Sequence, residues 1–209
     1  MIREPTPGLD VFYPIVPDIG WLKRLVPLGV RTIQLRIKDN PRKVVDRQIA
    51  EALTVTRAAG CQLIVNDHWR EAIDAGADYI HLGQEDLAAA DLAAIKAARQ
   101  KFGISTHTGG ELEAALRAKP DYIALGPIFE TTLKKMKWTP QGLNNVRKWK
   151  QRIGTIPLVA IGGITPERAP RVLAAGASSV ALITDFLTAP HPEARVKLWL
   201  EWAETVRGE

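Results

Sequence analysis

The sequence predicts an α/β fold, a single-domain (β/α)8 barrel of the TIM type spanning residues 1–209, and three observations carry that expectation. Short apolar runs alternate with stretches of helical period eight times along the chain, each run ending in Gly, Asn, Asp or Ser. Each run has the length and near-continuous apolarity of a strand buried on both faces of a parallel sheet. A chain of 209 residues accommodates eight strand–helix units at the lower end of the usual barrel size, and no linker-like or low-complexity stretch divides it. A doubly wound open sheet is the alternative arrangement of the same units.

The first strand is expected at Val11–Val16 and the first helix at Ile19–Leu28, where Asp18 can accept the free amides of the opening turn. Gly29 turns the chain into a second strand, Val30–Arg36, followed by a helix over Pro41–Ala59 that Gly60 closes. The third unit pairs Cys61–Asn66 with Trp69–Ala75 and ends at Gly76. The fourth pairs Asp78–Leu82 with Leu87–Arg99, with Asp86 or Asp91 available as a cap. Phe102–Thr106 and Gly110–Ala118 make the fifth unit, and Asp121–Leu125 and Gly142–Gln151 the sixth. After Leu158–Ile161, Thr165 followed by Pro166 predicts an N-cap with proline at the first position of a helix over Pro166–Ala175. Gly176 leads into Ser178–Ile183, and the last helix, Pro192–Val206, carries Leu198, Trp199, Trp202 and Val206 on its apolar stripe.

Composition narrows the function classes. The net charge of +5 comes from 28 Lys and Arg against 23 Asp and Glu. These cations are spread along the chain apart from Lys134, Lys135 and Lys137 and a second group from Arg147 to Arg152. Such a distribution reads as solvated surface, so small anionic ligands are expected and no nucleic acid partner is. A single cysteine forms no internal disulfide, and no Cys/His cluster has zinc spacing, which points to a reducing cytoplasmic setting. Cys61, at the start of a strand, reads as a small buried residue. No run approaches the ~18 apolar residues of a membrane span and the first ten residues lack a signal pattern, so no membrane partner is expected.

In a barrel of this kind the chemistry collects where strands end and the following loops begin. Residues 32–38 alternate strictly, placing Gln34, Arg36 and Lys38 on one face at the mouth and Ile33, Leu35 and Ile37 toward the helices. The third strand ends in Asn66 and Asp67, and Asp86 follows the fourth, one barrel unit later. Carboxylates on adjacent rim loops beside a cationic wall are what Mg2+ bound to a diphosphate needs: hard oxygen ligands, few of them from protein. Taken singly, Arg36 and Lys38 also fit ordinary strand-end ion pairing, and Asp67 or Asp86 a helix cap. Ser105, Thr106 and His107 close the fifth strand. A long basic loop, Thr131 to Trp138, follows the sixth and has the length of a binding loop. Gly162 and Gly163 after the seventh strand, with Ile183 and Thr184 at the end of the eighth, make the phosphate site common in barrels. Two phosphorylated small-molecule substrates follow. His68 and His191 read as surface residues at helix starts, and neither His81 nor His107 is assigned as a general base.

The segments Gln34 to Lys38, Asn66-Asp67, His81 to Asp86, Ser105 to His107, Gly126 to Lys134, Gln141-Gly142 and Ala160 to Thr165 resemble, in order and spacing, the thiamine-phosphate synthase family. The resemblance extends from about Val11 to Thr184. It implies a transferase that condenses 4-amino-2-methyl-5-(diphosphooxymethyl)pyrimidine with a phosphorylated hydroxyethylthiazole, giving thiamine phosphate and diphosphate with Mg2+. The sequence leaves open whether the thiazole is carboxylated and whether the chain forms a homo-oligomer. By the same resemblance Asp67 and Asp86 hold Mg2+, while Arg36, Lys38, Asn66 and Lys134 bind the diphosphate. Gln34 and Ser105 position the pyrimidine, and Thr131, Thr132, Gly162, Gly163, Ile183 and Thr184 contact the thiazole phosphate. Arg36, Lys38, Lys134 and Ser105 are the catalytic candidates, for a dissociative reaction in which the aminopyrimidine expels diphosphate and the thiazole nitrogen captures the resulting cation. Leu133 stands where the family usually has a second threonine, Thr184 where it often has serine, and Ile37 where it commonly has an acid. Two rivals share the scaffold: a thiazole tautomerase, which His107 and Phe129-Glu130-Thr131 would suit, and a non-catalytic thiamine-phosphate-binding protein. The tautomerase has no need of diphosphate-bound Mg2+ and so of Asp67 and Asp86 with Arg36 and Lys38, and the binding protein would show no Mg2+-dependent turnover.

Overall fold

The structure, a computed structural model, describes residues 8–131 and 138–208. Eight parallel strands close on themselves in chain order, β1 (Phe12–Val16), β2 (Thr32–Leu35), β3 (Gln62–Asn66), β4 (Tyr79–Leu82), β5 (Lys101–Thr106), β6 (Tyr122–Leu125), β7 (Leu158–Ile161) and β8 (Ser179–Leu182). Closure is made by β1 against β8, with Phe12 opposite Val180, Tyr13 opposite Ala181 and Pro14 opposite Leu182, which excludes the open sheet.

The helices are α1 (Ile19–Leu25), α2 (Arg42–Ala58), α3 (Trp69–Asp74), α4 (Gln84–Ala89), α5 (Leu92–Ala97), α6 (Gly109–Ala118), α7 (Gly142–Ile153), α8 (Ala169–Ala174), α9 (Thr184–Leu187) and α10 (Pro192–Arg207). Asp18 caps α1 by accepting the Trp21 amide at 3.0 Å, as expected. Gly29, Gly60, Gly76 and Gly176 all have positive φ at the turns into the next strand.

Four local expectations need correction. The helix expected over Leu87–Arg99 is two helices, because Ala90 is extended and the Asp91 side chain takes the Ala94 amide at 2.9 Å to start a new one. Asp86 is no cap; it lies in the first turn of α4. The helix expected from Pro166 begins at Ala169, since Pro170 has no N–H with which to continue the ladder from Pro166. Leu198 is 51% exposed and off the stripe of α10, whereas Trp199 is fully buried and stacks on Phe12 with ring centroids 5.8 Å apart.

Strand alternation divides the core in two. Ile33, Leu35 and Ile37, with their counterparts on other strands, face the helices. Tyr13, Ile15, Ile64, Tyr79, Tyr122, Ala124, Val159 and Ala181 fill the barrel interior. Between the layers, the Trp149 indole donates to Thr106 Oγ1 at 2.9 Å, and that hydroxyl donates to the Ala124 carbonyl at 2.8 Å. Thr106→Val strands this buried indole N–H and should cost about 1–3 kcal/mol in urea unfolding, with Thr106→Ser near wild type. Among the described residues, no helix is long and apolar enough to cross a membrane.

Candidate active site

The C-terminal ends of β2, β3 and β4 gather most of the predicted polar residues. Gln34 is buried inside the barrel, Arg36 is half-buried where its amide extends the ladder to Val16 O at 2.8 Å, and Lys38 is exposed. Lys38 pairs with Asp67, while no described carboxylate pairs with Arg36. A cation at a strand end without a protein counter-ion is available to an anionic ligand.

Asp67 adopts φ of 65°, a left-handed conformation that Asp tolerates better than most residues, and its amide donates to the His81 carbonyl at 2.9 Å. This turn sends the carboxylate toward the next loop, where Asp86 meets it. Both acids flank Gly83: a Cβ there would lie 3.1 Å from Asp86 Oδ2 and 3.9 Å from Asp67 Oδ1. Burial pushes the Asp67 carboxyl up, but hydrogen bonds from Lys38 and Asp86 outweigh it and hold Asp67 below the usual carboxylate range. Asp86 is pushed up, by burial and then by Asp67 beside it. The two acids titrate as a pair, and Asp86 keeps the shared proton longer.

Two adjacent carboxylates fit a hard divalent cation such as Mg2+, which would release that proton on binding. Among the described residues no group of three or more His, Cys, Asp or Glu gathers, so such an ion would need further ligands from substrate or water. Next to Asp67, the buried Asn66 side chain has a donor, Nδ2, with no partner among the described residues. A buried donor left empty costs about 1–3 kcal/mol, so Nδ2 is open to a further acceptor.

Beneath the rim lies a buried polar chain that the sequence reading missed. Gln34 Nε2 donates to Tyr13 Oη at 2.6 Å, and Tyr13 Oη lies 3.0 Å from Tyr122 Oη. Tyr122 Oη is 2.6 Å from His81 Nδ1, and His81 Nε2 is 2.8 Å from Ser105 Oγ. Gly103 makes this approach feasible. It stands between His81 and Tyr122 in the ladder, paired with each, so the two rings span two strand spacings, about 9.6 Å, over a position that has no side chain. Burial lowers His81 to about 4, against the pull of Asp67, and raises Tyr13 and Tyr122 above the ordinary phenol range. All three are neutral near pH 7. These residues, with Ile15, Ala124, Val159, Ile161 and Ala181, line a cavity of about 20 Å3, room for about one water. A planar ring can only lie across its mouth. The inward parity of Tyr13 and Tyr122 on their strands was the available signal.

The other half of the rim is built from backbone. Phe129 N donates to Gly162 O at 3.0 Å and Ile128 N to Ile161 O at 2.9 Å, clamping the loop after β6 onto the end of β7. Gly162 and Gly163 have φ of 99° and 63°, and a Cβ on Gly163 would run into the Glu130 carbonyl and lie 2.8 Å from Phe129 Cβ. Ile161 pairs with Ala181, so Gly162 and Gly163 lie on the strand end next to Ile183 and Thr184, which are half-buried at the start of α9. Thr131 is also half-buried; Thr132, Leu133 and Lys134 lie outside the described residues. His107 bonds Glu111 through Nδ1 at 3.0 Å and stacks on Trp138 with ring centroids 5.2 Å apart.

Residues 13–186 match the family model described as thiamine monophosphate synthase. A thiamine-phosphate synthase of Rhizobium etli is 59% identical to this chain over 92% of it and 94% of the relative. One from Neisseria meningitidis serogroup A is 48% identical over 89% of this chain and 91% of its own. A solved thiamine phosphate pyrophosphorylase of Pyrococcus furiosus superposes with a TM-score of 0.81 at 26% identity, covering 93% of this chain and 96% of its own.

Proposed function

The chain belongs to the thiamine monophosphate synthase family, and on that premise we propose a site and a mechanism for its reaction. It is a transferase of thiamine biosynthesis that joins the diphosphorylated aminopyrimidine to the thiazole phosphate, forming thiamine phosphate and diphosphate. Residues 1–209 are read as one domain, working in the cytoplasm on two phosphorylated small molecules.

Asp67 and Asp86 would hold Mg2+, whose charge offsets that growing on the leaving diphosphate. Arg36 and Lys38 would bind the same diphosphate, with Lys134 of the segment after β6 as a further cation, and Asn66 would offer it the Nδ2 donor. The single observation behind this reading is the pair of adjacent carboxylates at Gly83, with an Arg36 that pairs with no described carboxylate and an Asn66 donor with no described partner on the same rim. Gln34 and Ser105 align the pyrimidine above the polar chain. The ring nitrogen and the 4-amino group can stabilise the benzyl-like cation left when the C–O bond breaks, so no protein nucleophile is needed. Electrostatic stabilisation of the leaving group and alignment of the thiazole nitrogen supply the catalysis.

Purified protein given both substrates should release diphosphate and form thiamine phosphate only with Mg2+. Product unchanged in the presence of a chelator would remove the metal from the scheme.

The glycine pair, with Thr131, Thr132, Ile183 and Thr184, would hold the thiazole phosphate. Gly163→Ala pushes the loop carrying Thr131 away from β7 and forces Ala into left-handed φ. KM for the thiazole phosphate should rise about tenfold, roughly 1.4 kcal/mol. Steady-state kinetics should show a much smaller change in KM for the pyrimidine diphosphate.

A further inference from the structure

We infer that Tyr13, Tyr122 and His81 form a hydrogen-bond chain of fixed polarity that holds the Ser105 hydroxyl as a donor, directed at a ring nitrogen of the bound aminopyrimidine. Tyr122 and His81 are then positioning residues that act through Ser105. The identity of the acceptor rests on the function proposed above; the polarity of the chain does not.

Counting hydrogens sets the direction. The Gln34 amide nitrogen only donates, so Tyr13 Oη accepts from it at 2.6 Å and must place its own hydrogen elsewhere. Tyr13 is 1% exposed, and Tyr122 Oη at 3.0 Å is the one further partner recorded for its hydroxyl among the described residues. Tyr13 therefore donates to Tyr122. With that lone pair taken, the fully buried Tyr122 directs its hydrogen to His81 Nδ1 at 2.6 Å. Nδ1 is then an acceptor, the imidazole carries its proton on Nε2, and Nε2–H donates to Ser105 Oγ at 2.8 Å. The Ser105 hydrogen is left unspent at the edge of the cavity that the proposed pyrimidine site covers.

Running the chain the other way, with Ser105 donating to His81 and His81 to Tyr122, makes Tyr122 donate to Tyr13. The Tyr13 hydrogen is then left in the barrel interior with no acceptor among the described residues. Protonating His81 on both nitrogens has the same consequence. Ser105 could be replaced by many small polar groups if only space were at issue; this chain makes it a donor of one orientation, which an azine lone pair requires.

The experiment has two arms. Nitrogen-15 NMR of the imidazoles in the intact, ligand-free protein reports the His81 tautomer at neutral pH. Its resonance is identified by its loss in His81→Asn, or by elimination in a chain lacking His68, His107 and His191 should that variant not fold. A neutral ring with the proton on Nε2 is expected; a proton on Nδ1, or on both nitrogens, overturns the inference. In the second arm Ser105→Ala and Tyr122→Phe each lower kcat/KM for the pyrimidine diphosphate about tenfold, leaving KM for the thiazole phosphate in place. The double variant stays within about threefold of Ser105→Ala alone, because Tyr122 acts through the hydroxyl already removed. A double loss of about a hundredfold overturns it. Should the wild-type protein make no thiamine phosphate while His81 carries its proton on Nε2, the functional reading fails and the polarity of the chain stands.

Discussion

Asp67→Asn lowers kcat for condensation by about 10²–10³, on the order of 3–4 kcal/mol of transition-state stabilisation, and leaves KM for the thiazole phosphate nearly unchanged. The size follows from what the carboxylate does. On the proposed reading it would help hold the cation beside the leaving diphosphate, and its charge is matched by Lys38. The amide keeps the shape and tolerates the φ of 65° about as well as Asp does, so the loss reports charge rather than backbone strain. Asp67→Ala adds strain of about 1 kcal/mol to the same loss, and comparing the two variants separates the contributions. A kcat for the Asn variant within threefold of wild type would take Asp67 out of the metal site.

The same pair implies a pH dependence with a definite sign. Asp86 is pushed up and Asp67 held down, so below the raised Asp86 value the pair carries a proton that Mg2+ must displace. The Mg2+ concentration giving half-maximal rate should therefore rise as pH falls into the carboxylate range and be flat above it. Asp86→Asn should flatten this dependence while weakening Mg2+ overall; titration of rate against Mg2+ at several pH values checks both.

Gly103→Ala is the second large effect, and it begins as a stability effect. A methyl group on Gly103 would sit inside the Tyr122 ring, 2.5 Å from Cε2 and closer still to its neighbours. Tyr122 is fully buried, stacks on His81 with ring centroids 5.5 Å apart and is hydrogen-bonded to Tyr13 and His81, so it has no free direction in which to move. Overpacking of this kind should cost about 3 kcal/mol, a fall in Tm of roughly 10 °C for a chain of this size. At temperatures where the variant remains folded, activity should still fall, because displacing the ring breaks the link between Tyr13 and His81. Thermal unfolding followed by circular dichroism, with kinetics well below the midpoint, tests the two effects separately. A variant with wild-type Tm would show that the interior is looser than these contacts imply.

Much of this was legible before any coordinate. The eight-fold alternation, the runs buried on both faces and the glycines at the helix exits are local signals, and local signals suffice for a barrel because each unit repeats the same packing problem. The parity of Gln34, Arg36 and Lys38 on one strand separated mouth from helix-facing residues correctly, since Ile37 is buried in the outer core. Misreadings fell where two local rules compete. Asp91 prefers to cap a new helix over continuing the old one, and Pro170 delays a helix that Pro166 appeared free to start.

By itself, then, the chain's amino-acid order determined the barrel and the family to which it belongs. It also placed most of the charged groups on one rim, because strand parity and loop position are properties of neighbouring residues. Only the tertiary structure decided that Asp67 and Asp86 meet beside Gly83, and that Gly103 lets His81 and Tyr122 meet. It alone joins Gln34, Tyr13, Tyr122, His81 and Ser105 in one line. Those contacts join five different strands, and barrel closure and register set their distances. No separation along the chain encodes either.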